Sequence, residues 1–237
     1  VRVRWFIVLA ALLLAACATT SPPAGQPVKS PNDNYQYRLL TLDNKMEVLL
    51  ISDPGTPKAA ASLDVLVGSG DNPPGRAGLA HFLEHMLFLG TDKYPDAAEY
   101  ERFITEHGGS HNAYTSFENT NYFFDINTAN LPEALDRFAQ FFIAPRFEAQ
   151  YVDREKNAVE AEYQMGLKSD DRRGLDVLQE VANHEHPYSQ FTVGSLDTLA
   201  DRPDAQIRDE LIQFYDKYYS ANIMRLEGDQ PISLTLK

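Results

Sequence analysis

The sequence predicts an α+β fold, a largely antiparallel sheet with helices packed on one face. Two short strands around a polar turn open the body of the chain, and several long helical stretches follow. Regular strand–helix–strand alternation is missing, as is any internal repeat, which argues against a doubly wound parallel sheet. At 237 residues, 43% hydrophobic and 23% charged, the chain is an ordinary globular sequence able to bury one large core.

The elements follow from local patterning. Residues 35–42 and 46–52 read as strands flanking the Asp43-Asn44-Lys45 turn, and 59–67 alternates well enough for a third. Residues 68–78 are rich in Gly, Pro and Asp and stop any regular element. Helices are predicted over 79–89 and, after Pro95, over 96–107, where Gly108-Gly109 ends the second. Strands 110–116 and 121–126 come next. Helical spacing then covers 131–143, 148–168, 175–184 and 205–218, with a short strand near 223–226.

The ends read differently. Arg2 and Arg4 precede an apolar run closing in Leu14-Ala15-Ala16-Cys17, the layout of a secretory signal. Its small-small-Cys ending resembles the lipobox of bacterial lipoproteins, which makes residues 1–17 a signal peptide and Cys17 the lipidation site. An ordinary signal or short anchor with an incidental cysteine is the alternative. By the same resemblance, Ala18 after the cysteine implies the outer membrane, facing the periplasm. Residues 18–34 hold four prolines and almost nothing apolar and form a tether. The body is expected over 35–228, and 229–237 is an atypical, possibly truncated tail.

Composition excludes some chemistry. A formal charge of −13 argues against a nucleic-acid partner, because phosphate binding needs a basic face. A single cysteine rules out an intrachain disulfide and thiolate zinc clusters, so a metal site must use His and carboxylates.

One motif meets that requirement. His81-Phe82-Leu83-Glu84-His85 lies within a predicted helix. At about 3.6 residues per turn, His81 and His85 share a face, with β-carbons about 5–6 Å apart, so both imidazoles can reach one ion. Glu84 flanks that face and can take a proton from a water whose pKa the ion lowers to about 7. Two histidines on an ordinary amphipathic helix would have the same spacing.

Catalytic zinc usually takes three protein ligands. In the 148–168 helix, Tyr151, Glu155, Ala158, Val159, Glu162, Met165 and Gly166 form one stripe, while Glu160 lies on the opposite face. A carboxylate in an apolar stripe is costly unless a cation neutralises it. Glu162 is therefore the expected third ligand; an internal ion pair with an arginine would also satisfy the stripe.

These residues carry a family resemblance. The inverted motif His81-x-x-Glu84-His85 follows Arg76-Ala77-Gly78-Leu79-Ala80 and precedes Met86-Leu87-Phe88-Leu89-Gly90-Thr91. A second block reads Arg154-Glu155-x-Asn157-Ala158-Val159-x-x-Glu162. Gly108-Gly109-x-x-Asn112-Ala113-x-Thr115 and Tyr218-Tyr219-Ser220-Ala221-Asn222 complete a pattern that resembles the pitrilysin/insulin-degrading-enzyme (insulinase) family of zinc metallopeptidases. The resemblance implies one zinc ion on His81, His85 and Glu162, with Glu84 as base and Glu155 orienting a ligand. It also implies that strand 110–116 is an edge to which an extended peptide adds, with Asn112 and Ala113 beside the scissile bond. Family enzymes continue into further homologous domains or pair with a second subunit. The alternative to a peptidase domain is thus a truncated or partner-dependent subunit that binds zinc or peptide without activity of its own.

Other features have plainer expectations. His184-Glu185-His186 is read as a solvated helix end, and His107 and His111 as cap or loop residues. Phe123-Phe124, Phe141-Phe142 and Tyr218-Tyr219 are read as core and sheet packing.

Overall fold

The computed structural model describes residues 27–230. The signal, Cys17, most of the tether and residues 231–237 lie outside them. No described helix is long and apolar enough to cross a membrane.

Strands β1 (Gln36–Thr41), β2 (Glu47–Ser52), β3 (Lys58–Val65), β4 (Ser110–Thr115), β5 (Thr120–Asn127) and β6 (Met224–Gln230) form one sheet. Their order is β1-β2-β6-β3-β5-β4, and only β2 and β6 run parallel. The α+β architecture with a largely antiparallel sheet is therefore as predicted. Among the described residues, six α-helices accompany the sheet: α1 (Leu79–Leu87), α2 (Glu99–Glu106), α3 (Leu131–Gln140), α4 (Ala149–Gly166), α5 (Asp170–Glu180) and α6 (Ile207–Tyr218).

Strand alternation decides which face they cover. Ala59, Ala61, Leu63 and Val65 of β3 and Thr120, Tyr122, Phe124 and Ile126 of β5 are buried, whereas Phe123 between them is 38% exposed. Phe123 thus lies on the outer face of the sheet, unlike its neighbour Phe124, because successive side chains alternate. The buried set merges with Leu79, Phe82, Leu83, Met86 and Leu87 of α1, Ile104 of α2, Phe138 of α3 and Leu211 of α6 into one core. Each large apolar side chain so buried stabilises by about 1.5–3 kcal/mol.

Three boundaries differ most from the expected ones. Helix α5 starts at Asp170, not 175, because the Ser169 hydroxyl accepts from Arg172 N–H and two aspartates occupy the first turn. It ends at Glu180, so His184-Glu185-His186 falls in a turn; His186 Nδ1 accepts from Tyr188 N–H at 3.1 Å. Strand β6 reaches Gln230, past the expected end of the body. It pairs with β2 on one side and β3 on the other, a central place that favours an extended segment in spite of its polar sequence.

Candidate metal centre

Helix α1 begins where Gly78, at φ +86°, turns the chain and the Asn72 side chain accepts from Ala80 N–H at 2.9 Å. Seven of its nine residues are buried, which fixes its rotation about its own axis. His81 and His85 are left facing a cleft of about 1010 Å³, with Glu84 beside them. Helix α4 crosses this face and brings Glu155 and Glu162 to the same cleft.

The three expected ligands converge. His81 Nε2 and His85 Nε2 are 3.2 Å apart. Glu162 places Oε2 3.3 Å from the first and Oε1 3.4 Å from the second. With one ligand atom taken from each residue, all three lie within 4.8 Å of one another. A tetrahedral ion with bonds of about 2.0–2.1 Å needs donors about 3.3–3.4 Å apart, so this cluster fits one zinc ion with little adjustment. Two nitrogens and a carboxylate oxygen are also the donor chemistry that zinc takes in open, catalytic sites.

The far side of each imidazole is held as well. His81 Nδ1 donates to the Val193 carbonyl at 2.7 Å, and His85 Nδ1 lies 3.4 Å from Glu155 Oε2. Arg154 Nε holds the other Glu155 oxygen at 2.8 Å. Both Nε2 atoms are thereby turned toward Glu162.

The electrostatics follow from this crowding. Burial opposes charge on His85, but its hydrogen bonds to the Glu155 and Glu162 carboxylates outweigh it and push the imidazole up to about 9. Hydrogen bonds from His81 and His85 hold the Glu162 carboxyl well below the usual range. Burial would raise Glu155, yet His85 and Arg154 bring it down. Glu84, only 7% exposed, goes the other way: burial raises its carboxyl despite a 2.5 Å hydrogen bond from the Thr115 hydroxyl. Burial thus makes this carboxyl hold a proton more tightly than an exposed glutamate does.

Asn112 and Ala113 sit on β4, which among the described residues pairs only with β5 and leaves one edge open to the cleft. Three placements depart from expectation. Glu162 is 43% exposed and Met165 66% exposed, so the stripe on α4 is not buried at its C-terminal end. What neutralises Glu162 is the pair of imidazoles, not burial. His111 is neither cap nor loop but a β4 residue facing Phe88 and Tyr100, and burial lowers its pKa. The sequence assigns no role to Thr115, the Val193 carbonyl or Tyr122, and reads Tyr219 as packing; the Tyr122 and Tyr219 hydroxyls meet at 2.8 Å and feel the charge of Glu84. Thr115 and Tyr219, each inside a recognisable block, carry a local signal; Tyr122 and Val193 do not.

The family model described as "Insulinase (Peptidase family M16)" matches residues 47–195. This chain belongs to the insulinase family. Insulin-degrading enzyme of Homo sapiens is 50% identical over 199 residues, covering 83% of this chain and 20% of that protein. Protease 3 of Salmonella typhimurium is 41% identical over 232 residues, 94% of this chain and 24% of its own length. The crystal structure of pitrilysin superposes with a TM-score of 0.87 at 41% identity, covering 90% of this chain and 23% of that one. The chain thus spans about a fifth to a quarter of the length of these insulinase-family relatives.

Proposed function

We propose that this chain is the zinc-binding, catalytic domain of a metalloendopeptidase that hydrolyses peptides or small proteins. The observation that carries the reading is the convergence of His81, His85 and Glu162 within 4.8 Å at the floor of an open cleft. In this reading those three residues hold the ion, and Glu155 orients His85 from behind. A zinc ion there supplies a Lewis acid for a peptide carbonyl and lowers the pKa of a water to about 7. Glu84 takes the proton from the attacking water and returns it to the leaving amine, a task suited to a carboxyl raised by burial. Thr115 keeps that carboxylate aimed into the cleft. An extended peptide adds to the free edge of β4, with the backbone of Asn112 and Ala113 aligning it beside Glu84.

The test is Glu84→Gln. Zinc content should match the wild type while peptide hydrolysis falls by about 10²–10⁴-fold. Retained turnover would remove Glu84 from the role of base. Assays with and without a subunit corresponding to the distal part of the relatives separate an autonomous peptidase from a partner-dependent one. The sequence Leu14-Ala15-Ala16-Cys17 supports a second, independent part of the proposal: lipidation at Cys17 and attachment to the periplasmic side of the outer membrane. Labelling of the wild type but not of Cys17→Ser by a palmitate analogue is the expected outcome.

A further inference from the structure

We propose that the segment 193–200 is a positioning strap: the Val193 carbonyl fixes His81, and the same segment sets the spacing between the two helices that carry the metal donors. The inference rests on the zinc reading above and concerns residues outside the donor set.

A carbonyl can only accept, so its 2.7 Å contact places a proton on His81 Nδ1 and turns Nε2 toward Glu162 as the ring nitrogen left to bind an ion. That carbonyl reaches α1 only because two glycines meet. Gly78 and Gly194 both have positive φ, +86° and +94°. A Cβ on Gly78 would come 2.2 Å from Gly194 Cα and 2.8 Å from the Val193 carbonyl carbon. A Cβ on Gly194 would come 3.2 Å from both Gly78 Cα and Val159 Cγ1. Position 194 is therefore wedged between the start of α1 and the buried face of α4.

Two further contacts tie down the strap. Leu196 N–H donates to Glu160 Oε2 of α4 at 2.8 Å. Arg76, 1% exposed, donates to the carbonyls of Thr198 at 3.1 Å and Ala200 at 2.6 Å and pairs with Glu210. The strap thus touches α1 through Gly78 and His81, and α4 through Val159 and Glu160. Displacing it would turn the His81 ring and shift Glu162 relative to both imidazoles. A passive loop would do neither.

The test uses the full chain. Gly194→Ala adds one methyl group outside the donor set. With far-UV circular dichroism unchanged, zinc affinity measured by chelator competition should fall by about 10–100-fold. The visible bands of the cobalt(II)-substituted protein should move, and the slowly exchanging His81 Nδ1–H resonance should be lost. Gly174→Ala, where a Cβ meets nothing within 4 Å, is the matched control and should change none of these. If Gly194→Ala does not fold, Arg76→Met loosens the strap without adding bulk and should weaken zinc in the same direction, with Arg76→Lys partly restoring it. If neither variant folds, the wild-type resonance decides: a slowly exchanging His81 Nδ1–H supports the strap, and its absence overturns it. Wild-type zinc affinity with unchanged cobalt bands in folded Gly194→Ala also overturns it. A wild-type protein that binds no zinc would instead sink the metal reading itself.

Discussion

Helices α1 and α4 share one site but are held in different ways. In α1 seven of nine residues are buried, so its apolar face locks His81, Glu84 and His85 at fixed angles before any ligand arrives. In α4 only Val152 and Val159 of eighteen residues are buried, and its last turns stand in solvent. In the proposed reading, two donors and the base thus ride on a platform set by core packing, whereas the third donor rides on an arm set by a few contacts. A metal ion would lock the second helix to the first, and the energetics of the site should be divided accordingly.

The largest expected effect breaks the arm's own contribution. Glu162→Gln removes a charged donor and should weaken zinc by well over the about 10–100-fold expected for Glu155→Gln, whose carboxylate acts only through His85. Equal losses in a chelator competition would mean that both glutamates act at the same distance from the ion, and the contrast between them would collapse.

Next in size is a proton. Without metal, the pKa of His85 rises from 6.5 to about 9. Because the folded value is the higher one, its stabilising contribution is complete below pH 6.5 and is lost as pH rises through about 9. Glu162, depressed by the same partners, gives the acid side of the same pairing and loses it as pH falls. The metal-free protein should therefore lose thermal stability between pH 6.5 and 9. Zinc binding in that window should displace the His85 proton, seen as a dependence of calorimetric enthalpy on buffer ionisation. No such dependence at pH 7.5 would mean that His85 is already neutral.

The smallest effect probes α4 alone. Val159→Ala deletes fully buried methyls and should cost about 2 kcal/mol in urea unfolding. Met165→Ala, at a side chain 66% exposed, should stay within about 0.5 kcal/mol. Similar costs at the two positions would contradict a helix anchored through Val152 and Val159 with its last turns in solvent.

What could be read without coordinates was mostly local. The His81–His85 spacing fixes a shared helix face by geometry alone, and alternation in β3 and β5 identifies their buried sides. Ser169-Asp170-Asp171 is an equally local signal for the start of α5, a cap followed by two first-turn aspartates, and it lies ahead of the apolar spacing that begins at 175. Glu162 was reached through an apolar-stripe argument that the structure does not support over the last turns of α4. The family resemblance carried that assignment better than the periodicity did.

By itself the sequence determined an α+β chain with two imidazoles and a carboxylate on one helix face, because those relations span only a few residues and helical pitch sets them. Tertiary structure alone decided that Glu162 meets both rings, that Thr115 holds Glu84, that His111 turns inward, and that a carbonyl from Val193 aims His81. Each of these joins distant parts of the chain. Such contacts come from how whole faces are buried together, and the glycine-on-glycine approach at 78 and 194 has no side chain to announce it.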